Sequence, residues 1–289
     1  MLRLFTDTDC EFTQKKAKEY GMDLISMPYE IEGKLTYPFV DFEEFDYKTY
    51  YDKLRSGILP STSALNKDEY IRHFEPVFAA GDDILYVHFS SAMSASFGFM
   101  QMAVDELLQK YPERKFKAID TLSITIGSYL MIDEMGAMYK NGATLEEMVE
   151  WAEKEIQHFA CYFFADDLKF FQKSGRVSGL AGFFGNLLGI RPIIVIDEKG
   201  VMRSVDKTRG RMPAINYLVN KVEELGLDVT KHKIVLGHAD AQELIDEIKT
   251  KLYDKYGKDI LIEEIVVNPT IGGHCGPNSV GVAFHAIHR

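Results

Sequence analysis

The first half of the chain alternates strand-like runs with helix-like segments, and this rhythm constrains the fold more than any other feature of the sequence. Residues 2–6 and 84–89 are typical of strands, whereas residues 95–110 and 123–140 are typical of helices. Parallel strands need a long crossover connection between them, and this connection is usually a helix. The alternation therefore predicts a parallel sheet flanked by helices.

The second half of the chain has a different pattern. Residues 192–197 and 201–206 are strand-like, and residues 198–200 between them are typical of a hairpin turn. This pattern predicts a smaller mixed or antiparallel α/β region with helices on one face. Because 289 residues are enough for about two domains, we expect an α/β protein with one domain in residues 1–160 and a second in residues 161–289.

Charge and cysteine usage exclude several kinds of partner and compartment. The chain has 44 acidic and 33 basic side chains, a net charge of −11, whereas non-specific nucleic-acid binding needs a basic surface. The three cysteines are far apart and form no C-x-x-C pair, which favours a reducing cytoplasm. Charged residues interrupt the first ten positions, and no run of about 18 apolar residues occurs, so neither a signal peptide nor a membrane span is expected.

Three long stretches contain no charged side chain. They are residues 84–104, 177–190 and 265–288, in a chain of which 27% is charged. Buried strands and helices would explain such gaps. Walls of a ligand cavity would explain them equally well, and the sequence leaves both interpretations open.

Small polar residues cluster near the ends of predicted elements, at residues 6–9, 60–63 and 90–96. Open α/β sheets bind ligands at the carboxyl ends of their strands. Hydroxyl groups and free backbone N–H groups at a helix start also suit an anion. Each cluster alone is equally consistent with an ordinary turn or helix cap.

A glycine-rich segment near the end of the chain contains a single histidine. Residues 271–277 read as a loop, in which Gly272, Gly273 and Gly276 let the backbone approach a ligand closely. His274 is then a hydrogen-bond donor, a base, or a residue that only satisfies the loop. The sequence favours none of these three roles.

Basic residues are concentrated between positions 199 and 211, in an otherwise acidic protein. The segment predicts either a docking surface for phosphate or an acidic partner, or a solvated hairpin edge. Its members are Lys199, Arg203, Lys207, Arg209 and Arg211. The sequence contains no P-loop, dinucleotide-binding fingerprint, nucleophile elbow or H-E-x-x-H motif, so we expect neither a cofactor nor a metal.

Taken together, these motifs resemble those of the DegV family, the fatty-acid-binding proteins that serve bacterial fatty acid kinases. The resemblance covers nearly the whole chain. It is carried by Asp7, Thr62 and Ser63, residues 90–94, Asp120 with Gly127, residues 173–178, residues 191–193, residues 209–211 and residues 273–277. The sequence departs from the family pattern at Ala95, where glycine is usual, at Thr121, where serine is usual, and at Cys275, where threonine is usual.

The resemblance implies a DegV-like fold that holds a long-chain fatty acid. The residues implied to bind its carboxylate are Thr62, Ser63, Ser94 and His274, supported by Asp7, Ser91 and Gly273. The residues expected to line the acyl chain are Met93, Phe97, Phe183, Phe184, Leu187 and Ile271. The residues expected to face the kinase and its phosphates are Arg176, Arg209 and Arg211.

The resemblance also implies a carrier without turnover of its own. A separate kinase would transfer phosphate from ATP to the bound carboxylate, giving an acyl phosphate for phospholipid synthesis. The expected partners are the fatty acid, the kinase and, transiently, a membrane surface. Two alternatives stay open: a lipid or ester hydrolase that uses Ser94 and His274 with Asp7 as the orienting acid, and a scaffold protein that docks through the basic segment.

Overall fold

The computed structural model describes residues 1–178 and 189–289. Its first part contains the predicted parallel sheet. The strands are β1 (Leu2–Asp7), β2 (Asp23–Ile25), β6 (Asp83–His88) and β7 (Phe116–Asp120). They lie in the order β2-β1-β6-β7 and all pair in parallel, so their carboxyl ends share one edge.

Helices connect and cover these strands. They are α1 (Gln14–Tyr20), α2 (Tyr47–Arg55), α3 (Lys67–Ala79), α4 (Ser96–Lys110), α5 (Ile126–Lys140) and α6 (Leu145–Glu155). Asn66 and Thr144 open α3 and α6 with capping boxes. None of the described helices combines the length and the apolar character needed to cross a membrane.

A small antiparallel sheet lies between α1 and α3 in the sequence. Its strands are β3 (Tyr29–Ile31), β4 (Lys34–Thr36) and β5 (Ser61–Thr62), in the order β4-β3-β5. Because Thr62 pairs with Tyr29 in this sheet, its position is fixed by backbone hydrogen bonds. The strand β5 thus holds one of the predicted site residues.

A seven-stranded mixed sheet forms the second part of the described structure. Its strands are β8 (Phe159–Phe164), β9 (Val177–Ser178), β10 (Ile190–Ile196), β11 (Met202–Arg209), β12 (Ile234–His238), β13 (Ile262–Val266) and β14 (Val280–His285). Their order is β13-β12-β14-β8-β10-β11-β9, and β10 and β11 form the predicted antiparallel hairpin. The helices that accompany them are α7 (Lys169–Ser174), α8 (Arg211–Leu225), α9 (Gln242–Tyr256) and α10 (Pro269–Cys275). The domain boundary near residue 160 stays a prediction.

Helix α5 packs directly on the seven-stranded sheet. A side chain at Gly237 of β12 would bring its Cβ atom within 2.6 Å of Ile126 Cγ2, and one at Gly281 of β14 would come within 3.2 Å of Ile126 Cδ1. These two glycines therefore allow the start of α5 to lie against both strands. The other face of the sheet packs on α8 and α9, through residues such as Leu218 and Ile245.

The glycine-rich segment at residues 271–277 is helical for most of its length, so its interpretation as a loop was wrong. The Oδ1 atom of Asn268 accepts a hydrogen bond from the Ile271 N–H at 3.1 Å, and Pro269 occupies the first turn of α10. An asparagine cap followed by proline starts a helix well. The start signal outweighs the low helix propensity of Gly272 and Gly273, and His274 lies in the last turn.

Candidate functional site

A cavity of about 980 Å³, part of it open to solvent, lies where the first sheet, the start of α5 and the seven-stranded sheet meet. Apolar side chains form most of its wall: Met27, Phe89, Met93, Ile124, Ile126, Phe163, Phe171, Met202, Val267, Ile271 and Val280. The cavity therefore suits a ligand with a large apolar part.

Thr62 and His274 meet on the wall of this cavity. The Thr62 Oγ1 atom is 2.9 Å from His274 Nε2, although the two residues are 212 positions apart in the sequence. Burial lowers the pKa of His274 to about 4, and the charges of Arg176 and Lys173 act in the same direction. At neutral pH the imidazole is therefore uncharged and has one N–H donor and one acceptor nitrogen.

The approach of Thr62 to His274 depends on the packing of α10 against the segment that precedes β5. A Cβ atom on Gly273 would lie 2.5 Å from Pro60 Cγ, so only glycine leaves room for this contact. The Tyr50 hydroxyl donates a hydrogen bond to the Pro269 carbonyl oxygen at 2.6 Å and ties α2 to the same helix. Gly273 thus has a packing role in assembling the site.

Ser94 lies at the junction between β6 and α4. Its Oγ atom accepts a hydrogen bond from the Ser96 N–H at 3.2 Å and lies 3.0 Å from Ser96 Oγ. The Ser96 Oγ in turn accepts from the Leu65 N–H at 3.1 Å, which links this junction to the chain after β5. Ser63, Ser94, Thr62 and His274 all line the one cavity; that they bind a carboxylate stays a prediction.

The predicted supporting residues lie at different depths. Asp7 is fully buried behind the cavity wall, where its Oδ2 atom accepts hydrogen bonds from the Tyr86 hydroxyl at 3.0 Å and the Phe89 N–H at 3.4 Å. Burial raises the pKa of Asp7 to about 7, although these hydrogen bonds oppose the shift. Ser91 is exposed, and its N–H donates to Asp120 Oδ2 at 3.2 Å.

The predicted acyl-chain residues divide into three groups. Met93 and Ile271 line the cavity. Phe97 packs against His88 instead, with ring centroids 4.7 Å apart, and is not part of the cavity lining. The remaining predicted residues, Phe183, Phe184 and Leu187, lie outside the described residues.

The three predicted arginines lie in different surroundings. Arg176 lines the cavity, and its Nε atom is 3.5 Å from the Met93 carbonyl oxygen. Arg211 forms an ion pair with Asp166. Arg209 is exposed on β11 and makes no ion pair in the part of the chain that the structure describes. Only Arg176 is therefore close enough to affect a ligand inside the cavity.

Asp9 and Thr125 are among the polar residues of the cavity wall that were not singled out from the sequence. Asp9 belongs to the polar cluster at residues 6–9, and Thr125 precedes α5. Thr125 has a φ angle of 52°, which is rare for a β-branched residue. Its N–H donates to the Asp9 carbonyl oxygen at 2.8 Å, and its hydroxyl donates to Glu11 Oε1 at 2.7 Å. The position of Asp9 in a polar cluster at a strand end could have identified it as a site residue. Nothing in the sequence indicated the unusual backbone conformation of Thr125.

Two buried thiols also line the cavity. They belong to Cys161 and Cys275. Burial raises the pKa of each thiol to about 12, so both are protonated and weakly reactive at neutral pH. Within residues 1–178 and 189–289, no group of three or more His, Cys, Asp or Glu side chains could hold a metal ion.

The hydrogen bonds around Ser94 and His274 differ from those of a hydrolase triad. His274 is hydrogen-bonded to Thr62, and no hydrogen bond joins it to Ser94 among the described residues. Asp7, the expected orienting acid, is bound to Tyr86 and the Phe89 backbone instead. A nucleophile needs an adjacent base that a third group orients, so the described geometry gives the hydrolase interpretation no support.

Comparison with known proteins gives consistent family matches. The model of the DegV family, described as "Uncharacterised protein, DegV family", matches residues 1–286. A DegV domain-containing protein of Clostridium perfringens is 30% identical over 282 residues, which cover 97% of this chain and 96% of that relative.

Solved structures share the fold over almost the whole chain. A DegV family protein from Thermus thermophilus, reported for its fatty acid binding, has a TM-score of 0.84 at 18% identity and covers 99% of both chains. The fatty acid kinase B3 protein of Streptococcus pneumoniae, loaded with linoleic acid, has a TM-score of 0.82 at 17% identity and covers 99% of both chains. These similarities confirm the predicted α/β architecture.

Proposed function

Because this chain belongs to the DegV family, we propose that it binds a long-chain fatty acid and presents the carboxylate to a separate ATP-dependent kinase. The observation that carries the proposal is the contact between Thr62 and His274 on the wall of a largely apolar cavity. The structures of similar proteins support it, since one is reported for fatty acid binding and another is a fatty acid kinase protein loaded with linoleic acid.

The polar groups at Thr62, Ser94 and His274 suit a carboxylate that must react later. Hydroxyl groups and a neutral imidazole donate hydrogen bonds without a full positive charge. Helix α4 also begins beside Ser94, whose Oγ atom accepts a hydrogen bond from the Ser96 N–H, so this hydroxyl lies at the partial positive end of the helix. A carboxylate held in this way keeps the electron density that attack on a phosphorus atom requires.

The apolar wall supplies the affinity in this proposal. Each buried methylene group contributes about 0.8 kcal/mol. An acyl chain of about sixteen carbons therefore offers roughly 12 kcal/mol before the costs of ordering and association are subtracted. Such a chain needs few polar contacts to be held tightly, which agrees with the mainly apolar surface of the cavity.

The basic hairpin is our candidate surface for the kinase. Lys199, Lys207 and Arg209 are exposed and make no ion pairs within the described ranges, so their charges are available to an acidic surface or to phosphate. In this proposal the chain has no turnover of its own. Because the partner uses ATP, we place the reaction in the cytoplasm.

Two measurements test the proposal. Native mass spectrometry of the purified chain should show the added mass of a fatty acid, and loading with oleic acid should give a one-to-one complex. Addition of a fatty acid kinase and ATP should then yield acyl phosphate. Failure to bind any fatty acid after loading, or ester hydrolysis by the purified chain alone, would contradict the proposal.

A matched pair of variants separates lipid binding from presentation to the kinase. Ser94→Ala should weaken oleic acid binding about tenfold, because it removes a hydrogen bond to a charged group. Arg209→Ala should leave oleic acid binding within twofold of the wild type and reduce acyl phosphate formation, because Arg209 is not part of the cavity lining. Loss of lipid binding in Arg209→Ala would show that this division of roles is wrong.

A further inference from the structure

Asp9 is a buried acid in the wall of the largely apolar cavity. It lies in the short 3-10 turn after β1, is only 7% exposed and lines the cavity. Its Oδ1 atom is buried and has no hydrogen-bond partner in the described structure. Buried polar atoms are almost always hydrogen-bonded, because leaving one unpaired is costly.

The backbone around Asp9 is held in place by two neighbouring segments. The Thr125 N–H donates to the Asp9 carbonyl oxygen at 2.8 Å, from a residue whose φ angle is 52°. The next acid in the turn, Glu11, accepts from the Thr125 hydroxyl at 2.7 Å and from the Asn268 N–H at 2.9 Å. A strained residue persists only where its surroundings fix it, so the turn is a rigid part of the wall.

The charges around Asp9 favour its neutral form. Burial raises the pKa of Asp9 well above its usual range, the neighbouring carboxyl groups of Asp7 and Glu11 raise it further, and Arg176 lowers it. A neutral carboxyl group has one O–H donor and retains acceptor capacity. A hydroxyl group, which also donates and accepts, is therefore its natural complement.

An unsubstituted acyl chain cannot satisfy this group, because methylene groups neither donate nor accept hydrogen bonds. We propose that Asp9 is a specificity-determining residue that selects long-chain acids with a hydroxyl group on the acyl chain. The inference rests on the proposed function, since it assumes that an acyl chain occupies the cavity. Hydroxy fatty acids are then the subclass of long-chain fatty acids that matches the cavity wall of this protein.

The test compares octadecanoic acid with its positional monohydroxy isomers, using the dissociation constants of the full-length wild-type chain. We expect one isomer, or two adjacent ones, to bind at least about tenfold more tightly than octadecanoic acid, which is the gain from one hydrogen bond to a buried carboxyl group. Equal binding of octadecanoic acid and every isomer would overturn the role of Asp9 and leave the proposed function intact. Binding of none of these acids would overturn both.

Variants then assign the preference to Asp9. In Asp9→Ala, the ratio of the dissociation constant of octadecanoic acid to that of the preferred hydroxy isomer should fall close to one. Asp9→Asn keeps a hydrogen-bonding side chain of similar shape and should therefore keep most of the preference. Glu113→Ala, at an exposed acid far from the cavity lining, should leave the ratio unchanged.

Two results would contradict the assignment. One is a preference that persists in Asp9→Ala. The other is a loss of affinity by the same factor for all the acids, because it would mean that Asp9 contacts the carboxylate that they share. Should Asp9→Ala fail to fold, Asp9→Leu, which has a similar shape but no hydrogen-bonding group, takes its place, with the same loss of preference expected.

Discussion

Helix α5 contributes to two polar regions that are built in opposite ways. At its start, Ile126 lies in the wall of the cavity, where Thr62, Ser94 and His274 are uncharged at neutral pH. Two turns later, Asp133 lies within a network of charges. One helix therefore borders the cavity with its uncharged polar groups at its start and carries a buried carboxylate further along.

The charged region is fully paired. Asp133 contacts Lys233 at 2.5 Å and Lys16 at 2.8 Å, and it accepts a hydrogen bond from the Tyr20 hydroxyl at 2.6 Å. Lys233 also contacts Glu263 at 2.6 Å. The network joins α1 and α5 to the seven-stranded sheet. We call these residues the α5 charge network.

The difference shows where the molecule uses charge for structure and where it avoids charge. A buried charge is tolerated when opposite charges and hydrogen bonds surround it, as in the α5 charge network. Among the described residues that line the cavity no ion pair occurs, and the hydroxyl groups of Thr62 and Ser94 can hydrogen-bond to a ligand. We therefore expect substitutions in the network to affect stability and substitutions in the cavity to affect binding.

The largest expected effect is on stability, in the α5 charge network. Asp133→Ala leaves Lys16 without its carboxylate and Lys233 with only one, so the free energy of unfolding should fall by roughly 3 kcal/mol. Chemical denaturation measures this change. In the variant protein that remains folded, the dissociation constant for oleic acid should stay within about twofold of the wild-type value.

The control for Asp133 is an exposed ion pair. Glu150 contacts Lys154 at 2.6 Å on the surface of α6, where both side chains are about two-thirds exposed. Glu150→Ala should leave the denaturation midpoint unchanged, because exposed pairs contribute little. A large loss of stability in both variants, or a tenfold loss of oleic acid affinity in Asp133→Ala, would show that the two regions are not separate.

The second effect is on fatty acid binding, at the uncharged polar residues of the cavity wall. Thr62→Val keeps the shape of the side chain and removes the hydroxyl group that lies 2.9 Å from His274. The affinity for oleic acid should fall about tenfold, the value of a hydrogen bond to a carboxylate. Ser61→Ala, at the exposed neighbouring position of β5, should bind normally. Unchanged binding in Thr62→Val would place the carboxylate elsewhere.

The third effect is a pH dependence of stability at His274. Its pKa is lowered to about 4 in the folded protein, chiefly by burial, against about 6.5 in the unfolded chain. Between these values the unfolded chain binds more protons, so the contribution of His274 to stability is complete above pH 6.5 and is lost as the pH falls toward 4.

A variant isolates this contribution. The difference in unfolding free energy between the wild type and His274→Gln should therefore grow in favour of the wild type as the pH rises from about 4 to about 6.5. Burial raises the pKa values of Asp7 and Glu11 to about 7, so these two acids make the protein less stable as the pH rises. Both acids are present in the wild type and in the variant, so their effect cancels in the difference. A difference that is constant with pH would mean that His274 has an ordinary pKa.

The sequence predicted the parts of this protein that depend on local signals. The parallel sheet and the hairpin of β10 and β11 both follow from patterns within short segments of the chain. The helix at residues 269–275 was not predicted, because the glycines indicated a loop and the helix cap at Asn268 was not recognised. The family resemblance singled out Thr62 and His274, which no local pattern could have joined.

What the sequence determined by itself was the alternation of elements, the absence of charge from three long stretches and the residue types available for a site. What only the tertiary structure decided was which of these residues share a space. Thr62 meets His274 because Gly273 lets α10 pack on Pro60, and Asp9 faces an apolar cavity because Thr125 fixes its backbone. Such contacts depend on packing between distant segments, and packing is a property of the folded chain that no local spacing records.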